Sequence, residues 1–414
     1  MKLLALTYGT EGDTRPIAAL CRALMDAGHE TLLLADQSTL ASARSLAVPH
    51  AALSGNIQAS LADLLAQGKG INATVAALSS IANAQAESWM RQAADAAADC
   101  DAIIVSGLAA FVGLSIAEHL GIPAIGAGMI PISPTSTFPS PFIPTDKLPP
   151  ALNKASHHLV NWVLWLTFRK SVNRARKAVL GQKPRHSLWT KHPMLYGVSP
   201  ALLPAPADWP ENAKLCGQWL APTDAWSPPP ELDSFLGAGE PPVYLGFGSM
   251  TGFDQKALLR TLLDGLQEER ILFYPGWSGL PDIPLPDNCL VVGNTPHDWL
   301  FPRCSLAIHH GGSGTTHSAC RAGIPSVVLP FAGDQFFWAH QLARLGVAKA
   351  PIATKQINAD AIRQAVRFAK SAQAKSRSAA LAAAMSKENG TAAAVREIES
   401  MLEGHAAKRN AKTA

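Results

Sequence analysis

The stretch Ser305-Leu306-Ala307-Ile308-His309-His310-Gly311-Gly312-Ser313-Gly314-Thr315-Thr316 passes from a short apolar run into a glycine-rich turn. An apolar run of that length closed by glycines reads as a buried parallel strand, and the turn as the lead into a helix. In open parallel sheets, ligands bind at the C-terminal edges of the strands, where helix N-termini present free amides and a positive dipole to phosphate. Glycines let the backbone approach phosphate closely, and Thr315 and Thr316 add hydroxyl donors. His310, just ahead of Gly-Gly-x-Gly, stands where an imidazole donates to a diphosphate, with His309 a further cleft candidate beside it. Gly246-Phe247-Gly248-Ser249 is a second junction of the same kind, although any strand-to-helix turn tolerates glycine.

Outward from that turn, Val243 to Phe247, Ile271 to Tyr274, Cys289 to Val292, Ser305 to Ile308 and Ser326 to Leu329 are strand-like, with helical segments between. The first half repeats the rhythm: Lys2 to Tyr8 as a strand, Thr14 to Ala27 as a helix, then Glu30 to Ala35, Ala102 to Ser106 and Ala124 to Ala127 as strands. Between the halves, Pro204 to Pro242 is rich in proline and reads as boundary and linker. The expected class is α/β, two Rossmann-like, doubly wound parallel-sheet domains facing each other across a cleft. The expected division is 1–220, a linker 221–242, a nucleotide-binding domain 243–385, and 386–414 as a C-terminal helix packing back on the first domain plus a basic tail. Two domains also suit 414 residues, beyond the roughly 250–300 at which one core stops growing.

Composition narrows the function. With 48% hydrophobic and 16% charged residues and a net charge of +4, the chain is neither disordered nor a nucleic-acid binder. Its cysteines, Cys21, Cys100, Cys216, Cys289, Cys304 and Cys320, form no CxxC pair, so reduced core thiols are expected. Leu3 to Leu6 reads as a first strand and not a signal peptide, and the apolar run Leu159 to Phe168 falls short of the about 20 residues that span a bilayer. The expectation is a cytoplasmic protein, at most peripheral at the inner face of the membrane. Asp99-Cys100-Asp101 has a metal-site spacing but precedes the strand at Ala102, at the edge opposite the cleft. It reads as a solvated junction, and no metal is expected.

His310-Gly311-Gly312-Ser313-Gly314-Thr315-Thr316, Ala322-Gly323-Ile324-Pro325 and Pro330-Phe331-Ala332-Gly333-Asp334-Gln335-Phe336-Phe337 resemble the donor-binding signature of the inverting GT-B family of UDP-glycosyltransferases. Gly9-Thr10-x-Gly12-Asp13, Trp277 and His297-Asp298-Trp299-Leu300 extend the match. Pro134-Thr135-x-x-Phe138-Pro139-x-Pro141, Tyr196-Gly197-x-Ser199-Pro200 and Pro206-Ala207-Asp208-Trp209-Pro210 look like the sterol 3-beta-glucosyltransferase branch, with bacterial antibiotic glycosyltransferases also near. The resemblance implies a GT-B fold and a nucleoside diphosphate sugar as co-substrate, with no cofactor. Within it, Trp277 stacks on the base and Val292 meets the base through its backbone. Ser249, His310, Gly312, Ser313, Gly314 and Thr315 hold the diphosphate, and Asp334 and Gln335 bind the sugar hydroxyls. Gly12, Thr14 and Gly248 complete the cleft candidates. Plant members carry a glutamate for the ribose where this chain has Ser318, which leaves uridine and deoxythymidine donors both open. Trp277 also admits an ordinary packing role.

Asp13, on the turn after the first strand, reads either as a helix N-cap or as the base that accepts the acceptor's hydroxyl proton. A helix N-terminus is expected to lower its pKa, which an oxocarbenium-like transition state with late proton transfer tolerates. Direct attack inverts the anomeric centre. Phe138, Phe142, Trp162 and Trp165 are acceptor candidates, and the basic run Arg169, Lys170, Arg174, Arg176, Lys177 beside an apolar one suits a lipid interface. The expected acceptor is a small, lipophilic, hydroxylated molecule, sterol-like or polyketide-like. Rival readings are a dinucleotide oxidoreductase, for which only two of three fingerprint glycines match, a nucleotide-sugar epimerase, and a non-catalytic sugar-nucleotide sensor.

Overall fold

The computed structural model describes the chain apart from 61–70, 144–147, 222–225, 249–253, 277–278, 281 and 414, and apart from the side chains of 71–75 and 406–413. Its first sheet contains β1 (Lys2–Leu6), β2 (Glu30–Asp36), β3 (His50–Leu53), β4 (Ala102–Val105), β5 (Ala124–Gly128), β6 (Met194–Tyr196) and β7 (Ala213–Leu215). Their order is β3-β2-β1-β4-β5-β6-β7. The second contains β8 (Val243–Gly246), β9 (Ile271–Tyr274), β10 (Cys289–Val291), β11 (Leu306–His309) and β12 (Ser326–Val328), in the order β10-β9-β8-β11-β12. All pairings are parallel. β4, β8 and β11 are buried along their whole length, which is why they read as unbroken apolar runs: helices cover both faces of a parallel sheet.

The principal helices are α1 (Glu11–Asp26), α2 (Ile71–Ala97), α3 (Ala110–Leu120), α4 (Asn153–Leu180), α5 (Ser313–Ala322), α6 (Gln335–Leu345), α7 (Ala372–Met385) and α8 (Gly390–Thr413). Strand order reverses between β1 and β4 and again between β8 and β11, so each domain opens a crevice at the C-terminal ends of those strands. Below the cleft the domains share a core. Tyr196, Val198 and Leu202 of the first pack with Trp338, Leu342 and Met385 of the second. Helix α8 returns to the first domain, where Ala394, Val395, Ile398 and Leu402 join Leu3, Ile17 and Leu20.

Three strands escape the sequence reading. β3, β6 and β7 have only four, three and three residues, and β7 lies inside the proline-rich stretch. So does the helix Pro230–Gly237, whose first turn begins with proline, where the missing amide costs nothing. Helix α1 starts at Glu11 and not at Thr14: Thr10 is the N-cap and Asp13 the third helical residue.

Candidate active site

Each crevice is lined by the loops its strands throw upward. From the first domain the loop after β1 delivers Asp13. The Thr10 amide donates to Asp13 Oδ2 at 2.8 Å and the Thr10 hydroxyl at 3.4 Å, while the Asp13 amide donates to the Thr10 carbonyl at 2.9 Å. Asp13 therefore closes a capping box rather than serving as N-cap. Burial pushes its carboxyl up to about 6, against the two Thr10 hydrogen bonds, which pull it down. The pKa is thus raised and not lowered as expected from the helix position, because lost hydration outweighs the two Thr10 hydrogen bonds.

From the second domain come four turns. Gly276, after β9, has φ +63°, and a Cβ there would lie 1.9 Å from the Gly248 carbonyl oxygen, so the β8 and β9 loops touch only because it is glycine. After β11, His310 lies against the other loops: a Cβ on Gly312 would come within 2.5 Å of His310 Nε2, and one on Gly248 within 3.5 Å of its Cε1. His310 Nδ1 is buried with no hydrogen-bond partner among the described residues. Burial lowers its pKa to about 4, so at neutral pH it is an uncharged imidazole that can donate from one nitrogen. The first amides of α5, on Ser313, Gly314 and Thr315, precede the first internal helix bond, Thr316 N–H to the Gly312 carbonyl, and form an anion-binding end. After β12, Asp334 heads α6. The Trp338 indole N–H donates to its Oδ2 at 2.9 Å. Burial pushes Asp334 up to about 6, and the charge of Asp13 contributes to the rise, so the two carboxylates feel each other across the cleft.

Several expected site residues do other work. Thr14 is buried, its hydroxyl 2.8 Å from that of Thr39, and faces the core. His309 is fully buried and accepts the Gly311 amide at 3.1 Å, which fixes the turn from beneath. The Ser313 hydroxyl donates to the Met129 carbonyl of the first domain at 3.0 Å. Gln335 Oε1 accepts the Phe331 and Ala332 amides at 2.7 and 3.1 Å and shapes the turn. The Val292 amide donates to the Phe273 carbonyl at 2.8 Å, which leaves only its own carbonyl for a base. Gly12 is exposed on the first turn of α1. Ser249 and Trp277 lie outside the described residues.

The four acceptor candidates do not converge. Phe138 is buried in the core shared by the domains, 5.1 Å from Phe337. Trp165 is fully buried under the first sheet, its indole N–H donating to the His186 carbonyl at 3.1 Å. Trp162 and Phe142 face outward. Among the described residues no group of His, Cys, Asp and Glu is arranged to hold a metal; Asp101 accepts the Lys2 amide at 2.8 Å below the sheet.

A pocket that was not anticipated lies beside β9, lined by Tyr244, Tyr274, Gly293, Asn294, Thr295, His297 and Leu300. Burial lowers His297 to about 3, and the charge of Arg15, reaching over from α1, lowers it further. The motif His297 to Leu300 was the available signal, but nothing in its spacing reveals that β8 and β9 bring tyrosines to it.

The C-terminal part, residues 266–402, matches the family model for the erythromycin biosynthesis protein CIII-like C-terminal domain. Sterol 3-beta-glucosyltransferase UGT80B1 of Arabidopsis thaliana is 31% identical over 415 residues, covering 95% of this chain and 67% of that protein. The chain belongs to the sterol 3-beta-glucosyltransferase family. It is a glycosyltransferase of GT-B fold. The Saccharomyces cerevisiae sterol 3-beta-glucosyltransferase is likewise 31% identical across 96% of this chain, which spans only 35% of that relative. Among solved structures, the kitacinnamycin glycotransferase superposes with a TM-score of 0.70 at 20% identity, covering 97% of this chain and 99% of its own. The glycosyltransferase VinC, solved with dTDP, has a TM-score of 0.69 at 18% identity, covering 97% of this chain and 100% of its own. At those identities the likeness is one of fold.

Proposed function

We propose that the chain transfers glucose from a nucleoside diphosphate donor, UDP-glucose rather than dTDP-glucose, to a hydroxyl of a sterol-like or polyketide-like alcohol, inverting the anomeric carbon. The observation that carries this reading is the pairing of Asp13 with the turns of the second domain. A carboxylate whose pKa is raised to about 6 lies close enough to Asp334 for the two charges to interact across the cleft, and the second domain adds the free N-terminal amides of α5 beside His310. In this reading Asp13 takes the acceptor's proton as that oxygen forms its bond to C1, and the bond from C1 to the diphosphate breaks. The departing charge falls on the N-terminal amides of α5 and on His310, an uncharged donor whose fixed position costs no reorganisation in the transition state. These dipoles do the work a metal ion does elsewhere. Asp334 accepts hydrogen bonds from sugar hydroxyls, and Gln335 sets the turn that holds it. The base occupies the pocket of Tyr244, Tyr274 and His297, and the stacking role remains assigned to Trp277 by the family resemblance alone. The enzyme then works in the cytoplasm, on acceptors drawn from the inner face of a membrane.

The test offers UDP-glucose and dTDP-glucose with a panel of sterols, polyketide alcohols, sugars and peptides, reading products by mass and anomeric configuration by NMR. A β-glucoside of an apolar alcohol from UDP-glucose is expected. Transfer only to soluble sugars or peptides, or a product that retains the α configuration, would overturn the reading.

A further inference from the structure

Helix α4 is the longest described helix of the first domain, with 28 residues and not one aspartate or glutamate. Its inner side explains its length: Trp165, Phe168, Val172 and Ala175 are buried under the first sheet. Among the described residues its outer side has no such partner. Leu152 at its entrance is 48% exposed, Leu159 56%, Trp162 54% and Val163 47%. At about 100° per residue, Leu152, Ala155, Leu159, Trp162 and Leu166 fall on one stripe, with Val163 at its margin. Continued along the helix, the same stripe changes character to Lys170 and Lys177, flanked by Arg169 and Arg174. None of these four cations has an ion pair among the described residues, whereas Arg176, on the inner side, is paired with Glu118 at 3.3 Å.

We propose that this stripe is a bilayer-docking element that seats the first domain on an anionic lipid surface. It deepens the reading of an apolar acceptor and rests on it for its purpose, since an enzyme drawing alcohols from a membrane gains by resting there. At about 1.5 Å per residue, Lys170 and Lys177 lie about 12 and 22 Å along the axis from Trp162. A helix inclined to the surface therefore buries Leu159, Trp162 and Val163 at the acyl boundary, an amphipathic indole among them, while the lysines reach the phosphates. A protein partner has no such reason to meet apolar and purely cationic halves of one stripe, and charge complementarity favours lipid. The described helices include none long and apolar enough to cross a membrane, so attachment is interfacial.

The experiment sediments the full chain with vesicles of phosphatidylcholine alone and of phosphatidylcholine with phosphatidylglycerol. Binding is expected only to the anionic vesicles and is expected to vanish near 1 M salt, where screening acts within about 3 Å. Lys170→Gln with Lys177→Gln is expected to weaken binding roughly fivefold for each charge removed. Leu159→Ser with Trp162→Ser is expected to abolish sedimentation while the melting temperature and turnover of cyclodextrin-solubilised sterol stay at wild-type level. Wild-type protein that ignores both vesicles, variants that sediment like wild type, or a stripe whose substitution only dissociates a dimer in size-exclusion chromatography would each overturn the docking. Normal sedimentation without any sterol product would instead sink the acceptor reading and leave the docking standing.

Discussion

Asp13→Asn separates the two roles open to this carboxylate, because asparagine keeps the hydrogen-bond acceptor for Thr10 but cannot take a proton. A positioned general base contributes about 10²- to 10⁴-fold, so kcat/KM should fall by that factor with donor affinity unchanged. The stability effect has the opposite sign. The folded pKa is raised from an ordinary 3.8 to about 6, so ionised Asp13 costs stability. The cost is absent below about pH 4, grows as pH rises through 4 to 6, and is complete above. A rise of that size corresponds to at most about 3 kcal/mol, and partial contact with water reduces it to on the order of 1 kcal/mol. The variant should therefore melt at or above the wild-type temperature at pH 7, with the gain gone at pH 4. Wild-type kcat/KM should itself climb with pH to half-maximum near 6. Steady-state transfer to a sterol in cyclodextrin and thermal melts across pH 4–8 read both effects. Turnover within about threefold of wild type, or a variant that melts lower at pH 7, would refute the reasoning and reduce Asp13 to a cap.

Three further outcomes follow from the same geometry. Gly312→Ala drives a methyl to 2.5 Å from His310 Nε2, so it should raise the donor KM by about tenfold or more (a loss of about 1.4 kcal/mol), measured against UDP-glucose at saturating acceptor. Asp334→Ala should lower kcat/KM for UDP-glucose by about 10²-fold, as expected for lost charge-assisted hydrogen bonds, and leave bare UDP affinity within twofold by calorimetry; weakened UDP binding would move Asp334 from the sugar to the nucleotide. A chelator should leave turnover unchanged, because in the proposed mechanism helix amides and His310 stabilise the leaving diphosphate, and activity lost to EDTA and restored by magnesium or manganese would contradict that.

The parts of this architecture legible in the sequence were those with a period or an invariant chemistry. Buried parallel strands announce themselves as apolar runs, and Ala102–Val105 and Ile271–Tyr274 fall within or on the segments expected. The edge strand β7 did not, since Lys214 faces out from a three-residue strand among prolines. The glycine turn announced a strand-to-helix junction, which the structure has after β11, but not the separate surroundings of its two histidines. His309 and His310 are neighbours in sequence, yet one is buried under the loop and the other lies among the loops, a difference set by strand alternation and tertiary burial. The Asp13 pKa was misjudged because the helix dipole is a local property readable from position, whereas desolvation comes from whatever packs around the site.

The same logic explains how two separate domains hold a reacting geometry, when a misplacement of about 1 Å costs about 10²-fold in rate. The helix proposed to offer its N-terminus to phosphate is also the bracket between the domains. In α5 the Ser313 hydroxyl reaches the Met129 carbonyl after β5. One turn on, His317 donates from Nδ1 to the Ser313 carbonyl at 2.7 Å and accepts the Ser199 amide of the first domain at Nε2, 3.2 Å away. That acceptor role requires a neutral ring, and burial, lowering His317 to about 4, keeps it neutral. Charging it costs stability increasingly as pH falls below the unfolded value near 6.5, and fully below about 4. Farther down, Ser199 also donates to Glu388 Oε1 at 2.7 Å, and the Gln341 side-chain amide donates to the Leu202 carbonyl at 2.6 Å. The anion-binding end of α5 is thus tied to the loops of the first sheet by its own side chains. These bonds hold the first turn of α5 in register with the loops after β5 and β6, the side of the cleft to which β1 delivers Asp13.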